Sequence, residues 1–203
     1  MPRISEEHRM QIRENIVESA RLAFLDKGFQ RTSMSEIIQR TGMSAGAIYN
    51  HFSGKEEITV AAATIDLEIF LQENTPRLGG VGAGQPEKME PWAYVLNWLE
   101  TLRVNPATCR LLQSTWGEAA TYEVVRKVAD TQLETLKNAA KERYRGWAQA
   151  ALEFDEEELE EWLEVIGAAV LSVFCGYVLQ SQTLSHFSHD SYRNFAEAIL
   201  TQA

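Results

Sequence analysis

The chain has 203 residues, of which 45% are hydrophobic and 24% are charged, and its formal net charge is −10. A chain of this length can bury a sizeable core, and this composition is typical of a soluble globular protein and indicates no membrane class. Two cysteines are too few for a disulfide framework, which favours free thiols in a reducing cytoplasm. We expect no signal peptide and no segment able to span a bilayer.

The acidic charge is unevenly distributed along the chain. Residues 1–55 carry eight Lys or Arg against six Asp or Glu, a net charge of +2. Residues 56–203 carry eleven against twenty-three, a net charge of −12. The whole-chain negative charge therefore does not exclude nucleic-acid binding by the mildly basic N-terminal part. Because the positive charge of that part is small, we predict that DNA binding depends only weakly on salt concentration.

Apolar residues at helical spacing predict a first helix from about Glu7 to Lys27, ended by Gly28 and Phe29. Ser33 and Glu36 then form a capping box that predicts a second, short helix. Gly42 is the residue type that can take a positive φ where that helix must stop.

Ser44 predicts the N-cap of a third helix, whose inner side would be formed by Ile48 and Phe52, one turn apart. Two short helices around a glycine turn are typical of a helix-turn-helix, whose second helix enters the DNA major groove. Small residues at the start of the third helix allow its backbone to approach the DNA closely, and polar residues follow them.

Ser53 and Glu56 predict another capping box at the start of the next helix, and we expect Lys55 to face a DNA phosphate. The residues predicted to contact DNA are Thr32, Ser33, Ser44, Ala45, Gly46, Ala47, Tyr49, Asn50, His51 and Lys55.

The segment RTSMSEIIQRTGMSAGAIYNHFSGKEEI resembles the DNA-binding signature of the TetR family of bacterial transcriptional repressors, and the resemblance covers about residues 9 to 60. The spacing of the family is kept by the helix caps, by the glycines, by Phe52 and by Lys55. Ala45 stands where a basic residue is frequent in the family, and Ala47 stands where threonine is frequent. We therefore expect phosphate and base contacts to come from Tyr49, Asn50 and the backbone. Arg3, Arg9 and Arg13 are either further DNA contacts or ordinary surface residues.

The remaining chain predicts helices throughout, so the fold class is all-α. We predict a helix-turn-helix domain at residues 1–54 and a helical ligand-binding and dimerisation domain at residues 55–203. A fourth helix from about Gly54 to Glu73 would join them, and the Gly- and Pro-rich segment 76–91 predicts a flexible connection. Further helices are predicted at Trp92–Leu102, from Pro106 to about Trp116, at Ala119–Trp147, at Asp155–Gln182 and at Asp190–Thr201.

The helix predicted at 155–182 is apolar on nearly all sides, so it must be covered on two faces. One face would pack in the subunit core, and the other would join the last helix in a four-helix dimer interface, which is also the TetR-like arrangement. The alternative is that both helices only complete the monomer core. The residues predicted at the dimer interface are Ile166, Val170, Val173, Val178, Phe195 and Ile199.

The resemblance implies a repressor that binds a pseudo-palindromic operator as a homodimer and is released by a small molecule. We predict a largely hydrophobic inducer, and we place it beside Trp98, Trp116, Phe174 and Tyr177, although aromatic residues at helical spacing are more often core. The alternative is a non-specific nucleoid-associated or protein-interaction module on the same fold.

An enzymatic function is poorly supported. His186 and His189 lack a companion ligand at metal spacing, and Cys109 has no neighbouring base. We therefore predict no catalytic residue, no metal and no cofactor.

Overall fold

The computed structural model describes residues 6–74 and 90–201. These parts of the chain contain helices and no strand, which confirms the predicted all-α class. Arg3 and all but the last two residues of the connection predicted at 76–91 lie outside the described residues. The helices are α1 (Glu6–Lys27), α2 (Met34–Thr41), α3 (Ala45–Tyr49), α4 (Lys55–Asn74), α5 (Pro91–Val104), α6 (Pro106–Glu118), α7 (Glu123–Ala151), α8 (Glu156–Thr183) and α9 (His189–Leu200).

The chain forms two compact units. The first unit comprises Met1–Leu67 and Leu111–Asp130, and the second comprises Glu68–Arg110 and Thr131–Ala203. This division differs from the predicted boundary between residues 54 and 55, because most of α4 and the segment 111–130 belong with the N-terminal helices. Sequence periodicity identifies helices but not their packing partners, so it could not assign residues 111–130 to the first unit.

The first unit has a continuous hydrophobic core to which both of its chain segments contribute. The fully buried side chains of α1 to α4 include Ile16, Phe24, Ile37, Ile48 and Ile58. Leu111 and Val125, from the second segment, pack in the same core. Each buried side chain of this size contributes about 1.5 to 3 kcal/mol relative to an exposed one, so the second segment is part of what keeps this unit folded.

The second unit is built around α8. Its side chains Leu163, Ile166, Phe174 and Val178 are completely buried. Phe174 meets Trp98 of α5 edge to face, with ring centroids 6.1 Å apart. The helix α9 is attached to α8 through the Tyr192 hydroxyl, which donates to the Val173 carbonyl oxygen at 2.8 Å.

The apolar character of α8 corrects one expectation. Among the residues described, α8 is long and apolar enough to cross a membrane by length and composition, although we expected no such segment. Of its most apolar stretch, 44% is buried inside the chain. Length and composition are shared by a membrane span and by the central helix of a globular unit, and α8 has the second role here.

Two helix starts also differ from the prediction. The helix α7 begins at Glu123 instead of Ala119, because Thr121 and Tyr122 form a turn in which both amides donate to the Glu118 carbonyl oxygen, at 3.0 and 2.9 Å. Before α4, the carboxylate that accepts from the Ser53 amide, at 2.8 Å, belongs to Glu57 and not to Glu56. The helix begins at Lys55, so Glu57 occupies the third helical position, from which a carboxylate reaches back.

Candidate nucleic-acid interface

Local hydrogen bonds define the ends of α2 and α3 in the first unit. The Ser33 hydroxyl accepts from the Glu36 amide at 3.3 Å, and the Glu36 carboxylate accepts from the Ser33 amide at 2.7 Å, which completes the predicted capping box. Gly42 ends α2 with φ 68°, a left-handed conformation that favours glycine. The Ser44 hydroxyl then accepts from the Ala47 amide at 3.2 Å and begins α3. The two helices are thus a helix-turn-helix with each predicted cap in place.

The helix α3 buries one side and exposes the other. Ile48 and Phe52 are 0% and 1% exposed and hold α3 against the core of the first unit. The opposite side is open to solvent, and Tyr49 is 51% exposed. The exposed residues are Ser44, Ala45, Gly46, Tyr49 and Asn50, and Ala47 and His51 are partly exposed. Seven of the residues predicted to contact DNA therefore lie together on one surface, to which we refer as the α3 surface.

Arg13 of α1 holds the C-terminal end of α3 in place. Its guanidinium donates to the His51 carbonyl oxygen and pairs with Glu57 at 3.2 Å. It also lies 4.0 Å from the centroid of the Phe52 ring. The Arg13 side chain is therefore used inside the first unit, and sequence reasoning missed this role because no local pattern links residues thirty-eight positions apart.

The imidazole of His51 favours its neutral form. Its Nδ1 atom is buried and has no hydrogen-bond partner among the described residues. Burial lowers the pKa of His51 below 6.5, and the charges of Arg9 and Arg13 lower it further. A neutral imidazole can donate one hydrogen bond to a phosphate but adds no positive charge to the α3 surface.

Two of the predicted contact residues, Thr32 and Lys55, donate their side-chain hydrogen bonds to carbonyl oxygens of the turn before α2. Thr32 is 1% exposed, and its hydroxyl donates to the Gly28 carbonyl oxygen at 2.8 Å. The Lys55 ammonium donates to the Gln30 carbonyl oxygen at 2.9 Å, and partial burial lowers the pKa of Lys55. These contacts place both side chains beneath or beside the turn that precedes α2. Ser33, in contrast, is exposed at the start of α2.

The residues predicted to contact a ligand do not all belong to one unit. Trp98, Phe174 and Tyr177 lie in the second unit and are 0–6% exposed, whereas Trp116 lies in the first unit. Phe70 brings the first two together, since its ring centroid is 5.9 Å from that of Trp98 and 5.3 Å from that of Phe174. The Tyr177 hydroxyl is bonded to His189 Nδ1 at 2.9 Å.

The residues predicted at the dimer interface divide between the interior and the surface of the second unit. Ile166, Val170, Val173 and Val178 are 0–3% exposed and form its core, whereas Phe195 and Ile199 of α9 are 51% and 43% exposed. The large apolar side chains that α8 exposes are Val165, at 65%, and Leu179, at 54%. A helix that is apolar on all sides does not reveal from sequence which side faces its own core. The four predicted residues of α8 are therefore buried. The exposed face of α8 is instead a stripe formed by Val165, Ala168, Ser172 and Leu179.

The groups considered for catalysis have unreactive surroundings. Cys109 is 1% exposed, and burial raises the pKa of its thiol to about 11, so the thiolate is scarce at neutral pH. His189 Nε2 is bonded to the Glu100 carboxylate at 2.7 Å. The described parts of the chain contain no group of three or more His, Cys, Asp or Glu side chains able to hold a metal ion.

Comparisons with known proteins agree with this geometry. Residues 16–62 match the profile of the family described as bacterial regulatory proteins, tetR family. An HTH-type transcriptional repressor of Mycobacterium tuberculosis is 37% identical over 68 residues, which are 34% of this chain and 36% of that protein. The repressor AcnR of Corynebacterium diphtheriae is 27% identical over 144 residues, which are 69% of this chain and 71% of that protein. The matched part of the chain thus spans 36% of the length of the first relative and 71% of the length of the second.

The likeness to solved structures extends along nearly the whole chain. A TetR transcription regulator from Haloarcula marismortui superimposes with a TM-score of 0.74 at 16% identity, over 94% of this chain and 96% of that one. At this identity the likeness shows the fold, while the family profile covers the helix-turn-helix itself. Residues 16–62 of this chain thus carry the helix-turn-helix of the bacterial regulatory proteins of the tetR family, and the described parts of the chain share the fold of the solved TetR regulator.

Proposed function

We propose that this chain is a transcriptional repressor that binds a pseudo-palindromic DNA operator as a homodimer and is released by a small, largely hydrophobic ligand. The observation that carries the proposal is the α3 surface. Its small and polar residues face solvent, while Ile48 and Phe52 anchor its other side in the core. The first unit is then the DNA-binding part, and the second unit is the ligand-binding and dimerisation part. A repressor of this kind works in the cytoplasm, where the DNA is.

The α3 surface suits close contact with a major groove. Ala45, Gly46 and Ala47 carry at most a methyl group, so the helix backbone can approach the base edges closely. The hydroxyl of Tyr49, the amide of Asn50 and the imidazole of His51 supply donors for phosphate oxygens or base edges. Because none of these groups carries a full positive charge at neutral pH, we expect weak non-specific binding and a shallow salt dependence.

A second copy of this chain is the proposed occupant of the exposed apolar face of the second unit. Val165 and Leu179 of α8 and Phe195 and Ile199 of α9 are between 43% and 65% exposed. From Val165 to Thr183, α8 carries no charged side chain, so its exposed stripe has none of the charges that usually mark a solvated helix face. Two such helix pairs related by a two-fold axis form a four-helix contact, and a dimer of helix-turn-helix units reads half-sites one DNA turn, ~34 Å, apart.

The proposed ligand site is the aromatic interior of the second unit. Phe70, Trp98 and Phe174 now touch edge to face, with ring centroids 5.3 to 6.1 Å apart. A hydrophobic ligand would have to separate these rings and would therefore shift the helices that carry them. A ligand that prefers the shifted arrangement lowers DNA affinity in proportion to that preference.

The test is a gel shift with the DNA upstream of the gene for this chain, repeated with a panel of hydrophobic compounds. Sequence-specific retardation that a compound relieves supports the repressor. Salt-sensitive binding to any DNA instead supports a nucleoid-associated protein, and no DNA binding supports a protein-interaction module. Ala45 and Ala47 are the observation that favours these alternatives, since they stand where the family often has a basic residue and a threonine.

A further inference from the structure

The turn between α1 and α2 is held by a carboxylate from a distant part of the chain. Glu118, the last residue of α6, accepts from the Phe29 amide at 2.8 Å and from the Gln30 amide at 2.9 Å. Each carboxylate oxygen takes one of two consecutive amides, and hydrogen bonds to an ionised acceptor are about twice as strong as neutral ones. All three residues belong to the first unit.

The same turn is also held from its carbonyl side. The Lys55 ammonium donates to the Gln30 carbonyl oxygen at 2.9 Å, and the Gln30 side-chain amide donates to Thr121 Oγ1 at 2.7 Å. The Phe29 ring is fully buried, and its centroid lies 4.7 Å from that of Phe24. Residues 28–30 are therefore held by groups from α4, α6 and the turn before α7.

Gly28 leaves the space that this arrangement needs. Its φ is 84°, and a Cβ added there would lie 2.5 Å from Glu118 Oε1. Glycine thus serves both the conformation of the turn and the approach of the carboxylate. Glu118 lies outside residues 16–62, the part of the chain that matches the family profile.

We propose that Glu118 is a positioning residue for the DNA-binding surface, and this inference rests on the proposed DNA-binding function. The turn that Glu118 holds leads directly into α2, because the Thr32 amide donates to the Gly28 carbonyl oxygen and Ser33 caps the helix. The helix α2 in turn precedes α3 by the short turn at Gly42. A shift of the α6–α7 turn therefore moves the α3 surface through the Glu118 carboxylate.

The inference also assigns a route for regulation. The helix α6 begins at Pro106 in the second unit and ends at Glu118 in the first, and α7 begins in the first and continues in the second. A change in either helix can reach the turn at residues 28–30 along the chain itself. By linkage, DNA bound at the α3 surface must stabilise the α6–α7 turn as much as that turn stabilises DNA binding.

The experiment compares the full-length wild type with E118Q and with E123Q as the matched control. Glutamine keeps the size of Glu118 but places an amide donor against one of the two backbone donors. Glu123 is the first residue of α7, directly after the turn that follows Glu118, and pairs with Arg126 of its own helix at 2.8 Å. Fluorescence anisotropy with a labelled duplex from upstream of the gene gives the Kd, a stoichiometric titration gives the active fraction, and amide exchange by NMR reports on Phe29 and Gln30.

We expect E118Q to bind DNA about tenfold more weakly than wild type at an unchanged active fraction, with exchange at Phe29 and Gln30 about tenfold faster. E123Q should stay within about twofold of wild type. DNA should slow exchange at residues 118–122 in wild type and not in E118Q, a difference that a merely structural role would not produce.

Equal affinities for E118Q and wild type would overturn the inference and leave the proposed function standing. If the wild type binds no DNA, the proposed function fails, and the inference fails with it. If circular dichroism shows that E118Q is unfolded at 25 °C, E118D replaces it in the experiment. In E118D the carboxylate is shorter by one methylene, so its oxygens no longer reach both amides. A DNA affinity of E118D equal to that of wild type would contradict the inference.

Discussion

The guanidinium of Arg13 lies 4.0 Å from the centroid of the Phe52 ring, in the first unit. The same group donates to the His51 carbonyl oxygen and pairs with Glu57. Together these contacts join α1 to the end of α3 and to α4. Lysine cannot make them all, because its ammonium lacks the planar fork of arginine.

We therefore expect R13K to lower the free energy of unfolding by about 1 kcal/mol, a value that allows for the partial exposure of the ion pair. Urea unfolding followed by circular dichroism measures it. R9K is the control, since Arg9 is an exposed residue of the same helix. An equal loss in R13K and R9K would show that the contacts of Arg13 do not stabilise the protein.

Replacement of Gly28 by alanine should destabilise the first unit. The positive φ of 84° disfavours a side chain, and the new methyl group would press on Glu118 Oε1. The expected loss is about 1 to 2 kcal/mol, visible as a lower melting temperature. At Gly117 of α6, an added Cβ would meet no atom within 4 Å beyond its chain neighbours and the backbone of its own helix, so G117A should leave the melting temperature equal or higher. A melting temperature of G28A at or above that of wild type would contradict the geometry of the turn.

The hydroxyl of Tyr49 should contribute to operator binding. Tyr49 is 51% exposed on the α3 surface, so removing the hydroxyl changes little in the fold. If the hydroxyl reaches a phosphate, Y49F should weaken binding about five- to tenfold, the effect of one hydrogen bond of about 1 kcal/mol. Gel shift or anisotropy at constant salt measures the change. Y144F is the control, because Tyr144 lies in the second unit and its hydroxyl has no hydrogen-bond partner among the described residues. An unchanged affinity of Y49F would remove Tyr49 from the contact surface.

A charge on the exposed apolar face of the second unit should dissociate the proposed dimer. Leu179 of α8 and Phe195 of α9 are 54% and 51% exposed, so L179E and F195E leave the unit's own core intact. Sedimentation velocity should show a dimer for wild type and a monomer for the double variant, with loss of operator binding. V104E is the control, because Val104 is 73% exposed at the end of α5. A wild-type monomer at micromolar concentration would contradict the proposed interface.

Acid should destabilise the protein through two ion-paired carboxylates. The bond from Lys27 is the largest cause that lowers the pKa of Glu36 from 4.5 to about 2, and the bonds from Lys137 and Lys141 do the same for Glu164. A carboxylate with a lowered folded-state pKa contributes stability above its unfolded pKa, and this contribution is lost as the pH falls toward the folded value. The loss therefore begins near pH 4.5 and continues to about pH 2.

The measurement is the urea midpoint between about pH 5 and pH 3, for wild type and for the double variant E36Q/E164Q. The midpoint of wild type should fall more steeply with acid than that of the variant. E161Q is the control, since Glu161 is exposed and forms no ion pair within the described residues. Parallel curves for wild type and E36Q/E164Q would show that these two carboxylates do not carry the acid sensitivity.

The helix-turn-helix was predictable from sequence because its determinants are local. Ser33 with Glu36, Gly42 and Ser44 act on neighbours within a few positions, and each has the predicted role in the structure. The helical content follows from periodicity for the same reason. Helix starts were predicted less well where a distant or irregular contact intervenes, as in the turn at Thr121 and Tyr122 before α7.

Amino-acid sequence by itself determined that this chain is helical, where most helices begin and end, and that a helix-turn-helix lies near its start. Tertiary structure alone decided which side of α8 is core, that residues 111–130 belong to the first unit, and that Arg13, Lys55 and Glu118 hold the helices around the α3 surface. Caps and turns depend on neighbours along the chain, whereas burial and ion pairing depend on residues brought together only by folding.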